Sequence, residues 1–388
     1  GTGISCPGDC TETYDYATSV TLTATPATGY SFGSWTGCGA ETSPICTVSL
    51  TTDTTIAASF TINSYALTVT PVTGGTIATS GGSSGITCGV DCSETYTYNT
   101  SVQLTATAST GYTFGAWTGA CSGTVGATCT IAMSQARTVG AVFTIQTKTL
   151  TVTEPSNGTI TGLGINCPGD CSETYDYGTS VTLTATPATG YALSAWGDDC
   201  SSASGATCTL TMTATKTASA TFAATSRSLT VLTSTGGSVA TSGGSTGIDC
   251  GSDCAQDYTY GTSVQLTATA STGYTFAGWS GACSGTGTCT VTMNADKTVT
   301  ATFTIQTKTL TVTSPSNGTI TGTGISCPGD CTETYDYATS VTLTATPATG
   351  YSFGSWTGCG AETSPICTVS MTADTTIAAS FTINSYAL

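Results

Sequence analysis

The chain has 388 residues, of which 22 are acidic and 6 basic, with no histidine, so its net charge is −16. A chain this acidic, with no Lys/Arg cluster, repels phosphate backbones and offers no basic patch to a lipid surface, which excludes nucleic acid as a partner. Charged residues make up only 7% of it, and it contains no apolar run of about 18 residues that could insert into a membrane.

In chain order, Ser19-Val20-Thr21-Leu22-Thr23-Ala24-Thr25 alternates apolar side chains with hydroxyls at a period of two, which predicts a half-buried strand. The same alternation recurs at Thr47-Val48-Ser49-Leu50, Ile56-Ala57-Ala58-Ser59-Phe60 and Leu67-Thr68-Val69-Thr70. Turn chemistry stands between such runs, at Gly74-Gly75, Ser156-Asn157-Gly158, Asn294-Ala295-Asp296 and Ser316-Asn317-Gly318. Threonine suits the solvent side of a pleated sheet, and no segment shows a helical period. The expected fold class is therefore all-β, built of small units in tandem. Gly1 opens in the middle of this pattern with no signal peptide, as expected of a segment cut from a longer precursor.

The units are repeats. One tryptophan falls in each, at Trp35, Trp117, Trp196, Trp279 and Trp356, with spacings of 82, 79, 83 and 77 residues. Residues 1–67 return as 322–388 with two changes, Leu50 to Met371 and Thr52 to Ala373. The expected repeats are 1–63 (lacking its first strand), 64–146, 147–225, 226–306 and 307–384, with 385–388 beginning a further one. Two types alternate: Leu67 to Ile86 and Leu229 to Ile248 span 19 residues, whereas Leu150 to Ile165 and Leu310 to Ile325 span 15. That difference suggests that neighbouring repeats face differently. The joints, such as Thr61-Ile62-Asn63-Ser64-Tyr65-Ala66, hold no Gly or Pro, unlike a flexible linker, which favours a stiff, disulfide-stapled rod.

Repeats of this size bury little surface, and cysteines make up the deficit. A tight Cys-x₃-Cys opens each repeat: Cys6 with Cys10, Cys88 with Cys92, Cys167 with Cys171, Cys250 with Cys254, and Cys327 with Cys331. A second pair follows each tryptophan: Cys38 with Cys46, Cys121 with Cys129, Cys200 with Cys208, Cys283 with Cys289, and Cys359 with Cys367. Four cysteines allow three connectivities, and pairs that each close their own loop fit the spacing best. Loop closure contributes roughly 2 to 3 kcal/mol for each short loop. Four thiolates could instead hold zinc, but structural zinc sites favour two to four residues between paired ligands. Disulfides at this density place the chain outside a reducing cytosol, secreted or attached to a cell surface.

The run Val-Gln-Leu-Thr-Ala-Thr-Ala, then Gly-Tyr-Thr-Phe-Ala-Gly-Trp, then Cys-Thr-Val-Thr-Met-Asn-Ala-Asp-Lys-Thr-Val-Thr-Ala-Thr-Phe, within residues 264–303, resembles the divergent internalin-type B-repeat of bacterial surface proteins. The resemblance extends to all five repeats. It implies a β-grasp-like fold with a short helix, a secreted or wall-associated bacterial protein, and repeats that serve as spacers or adhesive stalks. It supplies no catalytic residues.

Candidate sites are few. Asp9, Asp91, Asp170, Asp253 and Asp330 precede the second cysteine of each tight pair; with Glu12 and Asp15 they could ligate calcium, or they could bond their own backbone in a turn. In the fourth repeat Gln256 and Thr259 replace the other two candidates, so no metal site is assigned. The tryptophans could be sugar platforms, but their position after Gly-Tyr-x-Phe suits core anchors. Tyr14 and Tyr16 alternate with polar residues, so one face packs and the other is exposed. Without histidine or a spare cysteine there is no nucleophile–base pair, and residues 1–136 contain no lysine for an isopeptide bond. An enzyme is excluded and no cofactor is expected. The expected function is structural, a stiff extracellular stalk or filament whose partners are its own neighbouring repeats and other copies of itself. The alternative is an adhesive array that grips a glycan, a cation or a host protein through exposed Tyr/Trp or acidic loops.

Overall fold

The computed structural model describes residues 3–83, 85–245, 247–250 and 253–386. Among them every regular element is a strand, so the short helix that the resemblance implied is not part of these repeats. No described element is a helix long and apolar enough to cross a membrane. The chain falls into two compact units, one of Gly1–Pro155, Ile160–Ala185 and Ala195–Ala220, the other of Ser156–Thr159, Thr186–Ser194 and Thr221–Leu388. The expected start of a further repeat at 385–388 lies partly outside the described residues.

The strands from Ser226 to Ile305, in the second unit, show how the sequence builds the fold. The eight strands are Ser226–Thr233, Gly237–Ser242, Asp249–Cys250, Ala255–Thr259, Ser263–Ala270, Tyr274–Gly281, Cys289–Thr292 and Lys297–Ile305. They form two four-stranded sheets, in the order fourth-first-eighth-sixth and third-second-fifth-seventh. The first strand lies antiparallel to the fourth and parallel to the last, with Val231 opposite Val299. All pairings in the other sheet are antiparallel. The alternation read from the sequence sends Leu229, Val231, Val239, Val264, Leu266, Val291 and Val299 inward, and both sheets contribute to one buried cluster.

Trp279 closes that cluster. A bulge between Phe276 and Gly278 shifts the register of the sixth strand, which turns the indole inward. Its ring centroid lies 5.0 Å from that of Phe276, and its Nε1–H donates to Gly287 O at 2.7 Å. Trp117 in the first unit donates likewise to Gly126 O at 2.9 Å. Trp117, Trp279 and Trp356 are only 3%, 5% and 8% exposed, so these rings are core anchors and not sugar platforms.

Every disulfide of the structure closes a loop within one repeat. The tight pairs are joined as Cys6–Cys10, Cys88–Cys92, Cys167–Cys171, Cys250–Cys254 and Cys327–Cys331. The pairs after the tryptophan are joined as Cys38–Cys46, Cys121–Cys129, Cys200–Cys208, Cys283–Cys289 and Cys359–Cys367. No described cysteine is free. Burial is uneven within the bridges. Cys46, Cys129, Cys208, Cys289 and Cys367 lie in the core of their repeats. In the tight pairs Cys88, Cys167, Cys250 and Cys327 are buried, whereas Cys92, Cys171, Cys254 and Cys331 are half-buried at its edge. The bridges therefore extend a small apolar cluster as well as closing loops.

The two repeat types differ in one hairpin. In the short form, Gly162 and Ile165 exchange backbone bonds, N–H to O at 2.9 and 3.2 Å. In the long form the extra residues turn through Gly81 and Gly82, at φ 63° and 84°, a conformation that costs glycine little. The tip then folds back, and the Gln103 N–H donates to Ser83 Oγ at 3.3 Å, as does Gln265 N–H to Ser245 Oγ. The insertion is therefore tied to its own repeat.

All twenty cysteines should be found as within-repeat pairs when an unreduced digest is analysed by mass spectrometry; free thiols in most copies, or zinc at one per repeat, would contradict the pairing. Reductant should lower the melting temperature by several degrees, since each loop contributes about 2 to 3 kcal/mol. Chelator should leave it unchanged.

Candidate functional site at the joints between repeats

One residue separates the last strand of a repeat from the first strand of the next: Asn63, Gln146, Thr225 or Gln306. Its two backbone groups fall between sheets, where neither strand ladder can satisfy them. In the first unit, Asn63 N–H donates to Gly29 O at 2.8 Å and Gln146 N–H to Gly111 O at 2.7 Å. Their carbonyls accept from Tyr98 N–H at 2.7 Å and Tyr177 N–H at 2.8 Å. In the second unit, Thr225 lies between Gly190 and Tyr260, and Gln306 between Gly273 and Tyr337, with all four bonds at 2.8 Å. Each joint residue is thus clasped by the repeat before it and the repeat after it.

The side chains complete the clasp. A β-carbon placed on Gly29, Gly111, Gly190 or Gly273 would fall 2.0, 2.2, 2.1 or 2.0 Å from the Cδ1 of Tyr98, Tyr177, Tyr260 or Tyr337. The tyrosine ring of one repeat therefore lies flush on a glycine of the previous one. That glycine is also held at φ near +84°, so two separate constraints exclude a side chain there.

The joints after the long-hairpin repeats add the same side-chain bond, from Gln146 Nε2 to Tyr112 O at 3.2 Å and from Gln306 Nε2 to Tyr274 O at 3.1 Å. After repeats of the other type, Asn63 Oδ1 accepts from Ser31 Oγ at 2.5 Å and Thr225 Oγ1 donates to Gly190 O at 3.0 Å. The two-type alternation is therefore visible in side chains, while the backbone clasp is common to all four joints.

The two tyrosines of each Tyr-x-Tyr segment divide their work. Both leave the strand on one side, as an i, i+2 pair must, but Tyr96 packs into its own core and Tyr98 covers Gly29. Both rings therefore belong to the packed face. The joint pair was legible only as recurrence, since Gly29 and Tyr16 have counterparts in every repeat.

The acidic loops serve their own turns. Asp9, Asp91, Asp253 and Asp330 each accept through Oδ1 from the backbone N–H two residues on, at 3.2 to 3.5 Å. Glu94, Glu173 and Glu333 accept from the next residue's N–H. No group of three Asp, Glu or Cys residues converges on one point among the described residues. Tyr175 OH donates to Leu163 O and Tyr335 OH to Thr323 O. Burial, then Glu173 and Asp170, hold the Tyr175 phenol above its ordinary value, and burial with Glu333 and Asp330 does the same for Tyr335. Asp199 is held below the usual carboxylate range by the Thr217 N–H and then by Lys216, its ion-pair partner at 3.2 Å.

This geometry defines a class: a tandem array of disulfide-stapled β-repeats with clasped joints. The chain belongs to the divergent InlB B-repeat family, whose profile matches residues 1–64, 65–147, 148–226, 228–307 and 308–385. It is thus a repeat protein related to those of bacterial surfaces. Among solved structures it is similar to the TIE protein of Bacillus anthracis, at 9% identity and a TM-score of 0.42 over 84% of this chain and 70% of that one. It is also similar to two B repeat units of the collagen-binding protein of Staphylococcus aureus, at 10% identity and a TM-score of 0.15 over 83% and 100%. Among curated protein sequences none matches.

Replacing Tyr177 by Ala in the full chain removes the ring from Gly111 and about 1 to 2 kcal/mol of apolar burial. Amide hydrogen exchange at Gln146 and Tyr177 should then quicken at least tenfold, while exchange in the core strands of both repeats stays unchanged. Alkaline pH should loosen the repeats. Because the folded phenols titrate above their ordinary value of about 10, their stabilising contribution is complete below that value and is lost as pH rises through the folded pKa. Melting temperature should therefore hold to about pH 10 and fall above it, less steeply in the Tyr175→Phe/Tyr335→Phe variant.

Proposed function

We propose that this chain is an extracellular structural spacer, a stalk whose product is length, stiffness and chemical resistance. The observation that carries this reading is the two-sided clasp at each joint, where a single residue without Gly or Pro is bonded to both neighbours and a tyrosine covers a glycine. A binding array needs distinct exposed groups. Here Trp117, Trp196, Trp279 and Trp356 are in cores and the joint tyrosines are committed to neighbours, so the spacer reading is the better supported. On this reading the repeats end at residues 63, 146, 225, 306 and 384, the cysteines are oxidised in an export compartment, and the chain performs no catalysis.

Electron microscopy of chains with two, three and four repeats tests it. Contour length should grow by a constant increment per repeat with a narrow end-to-end distribution. A broad distribution, as from beads on a flexible string, contradicts a spacer. Retention on immobilised glycan or host protein by single repeats would favour the adhesive array instead.

A further inference from the structure

Load carried along a chain of repeats enters each one at its first strand and leaves at its last. In the second to fifth repeats these are Ser64–Val69 with Arg137–Ile145, Thr147–Val152 with Lys216–Ala224, Ser226–Thr233 with Lys297–Ile305, and Thr307–Val312 with Thr375–Ile383. Each time they are the two central strands of a four-stranded sheet, and they pair in parallel. Tension therefore draws the two strands past each other along their own axes. The evenly spaced bonds between them are loaded together, and a further strand holds each of them on its other side. A pair drawn apart from one end would instead lose its bonds singly. No cysteine lies in these eight strands, so the resistance is non-covalent.

The joint residues leave no unbonded link at either end of a pair. Thr225 C=O accepts from Tyr260 N–H, next to Ser226 opposite Thr259, and Gln306 N–H donates to Gly273 O, next to Ile305 opposite Tyr274. The pairs themselves are unequal. Parallel register covers only Leu67–Val69, Leu150–Val152 and Leu310–Val312 in the second, third and fifth repeats. In the fourth it covers Leu229–Thr233 against Lys297–Ala301. The sequence supplies the reason. Pro71, Pro155 and Pro315 follow the short pairs, and proline has no N–H with which to continue a ladder. The fourth repeat has Ser234 where the third and fifth have Pro155 and Pro315. Ser234 N–H donates to Ala301 O at 3.1 Å, and its Oγ accepts from Phe303 N–H at 2.7 Å. The contact thus runs further along the last strand than in any of the other three.

We propose that the second to fifth repeats are shear clamps graded in strength, the fourth the strongest. Under overload the repeats whose ladders end at a proline open first, and the fourth holds last. Length is then released in steps while part of the chain stays folded. This inference rests on the spacer reading for the presence of a load, but its test reads the strand pairs alone.

Constant-force spectroscopy of the full chain, held by its two ends, provides the test, because forced unfolding reports the unfolding rate. One opening should outlive the others roughly tenfold, the effect of about two extra backbone bonds on that rate. Ser234→Pro should bring that lifetime into the range of the others. Ser234→Ala, which keeps the N–H and loses only the Oγ contact, should fall between, and it decides the matter if the proline variant does not fold. Pulled at the same force through handles at Arg227 and Lys297, at one end of the parallel pair, the fourth repeat should open at least about tenfold faster. A single lifetime for every repeat, a long lifetime unchanged by these substitutions, or equal rates in the two pulling geometries would each overturn the proposal. Microscopy separates the two readings. Uniform contour increments with a single lifetime would end the clamp and leave the spacer standing, whereas a broad end-to-end distribution with graded lifetimes would do the reverse.

Discussion

The structure depends on one residue per joint having nowhere to place its backbone polar groups except in its two neighbours. The last strand of a repeat and the first strand of the next are separated by a single position, yet each lies inside its own sheet. A peptide N–H and C=O left unpaired there would each cost about 1 to 3 kcal/mol. The glycine turn of the preceding repeat takes the N–H, and the tyrosine segment of the following repeat takes the C=O. The glycine must lack a side chain because the tyrosine ring occupies that space, and the ring stays there because the backbone bond of the same tyrosine fixes its strand. Removing one partner therefore exposes the others.

The interior of a repeat is organised around scarcity. With so many outward threonines, the second, fourth and fifth repeats each bury little more than a dozen side chains in one cluster. Tryptophan supplies the largest single contribution, and it reaches the core only because the bulge one or two residues before it turns the strand. Each disulfide of the second repeat has at least one cysteine inside its cluster, so the cysteines serve both as cross-links and as small apolar groups. The few charges follow the same pattern: all six cations lie in strands of the sheet that holds the first and last strands, and aspartates close turns.

Much of this was legible in the sequence. Period-two alternation gave the strands, tryptophan spacing gave the repeats, and pairs closing their own loops gave the cysteine partners that the structure joins. These features are local, and each needs only a few neighbouring residues for its physical meaning to be plain. The absence of a helical period also outweighed the helix that the family resemblance implied.

Tertiary structure decided what depends on contacts far apart in sequence. Gly29 and Tyr98 recur in every repeat, but nothing local says that a turn and a strand 69 positions later will meet across a joint. The parallel pairing of first and last strands, Leu229 beside Lys297, likewise cannot be read from either strand, because alternation fixes which face is inward and not which neighbour lies alongside. The long hairpin of alternate repeats read as an insertion that could turn neighbouring repeats; the structure ties it back through Ser83 and Ser245. The sequence by itself determined the composition of each face. Which face meets which neighbour was settled by backbone hydrogen bonding between segments that only the folded chain brings together.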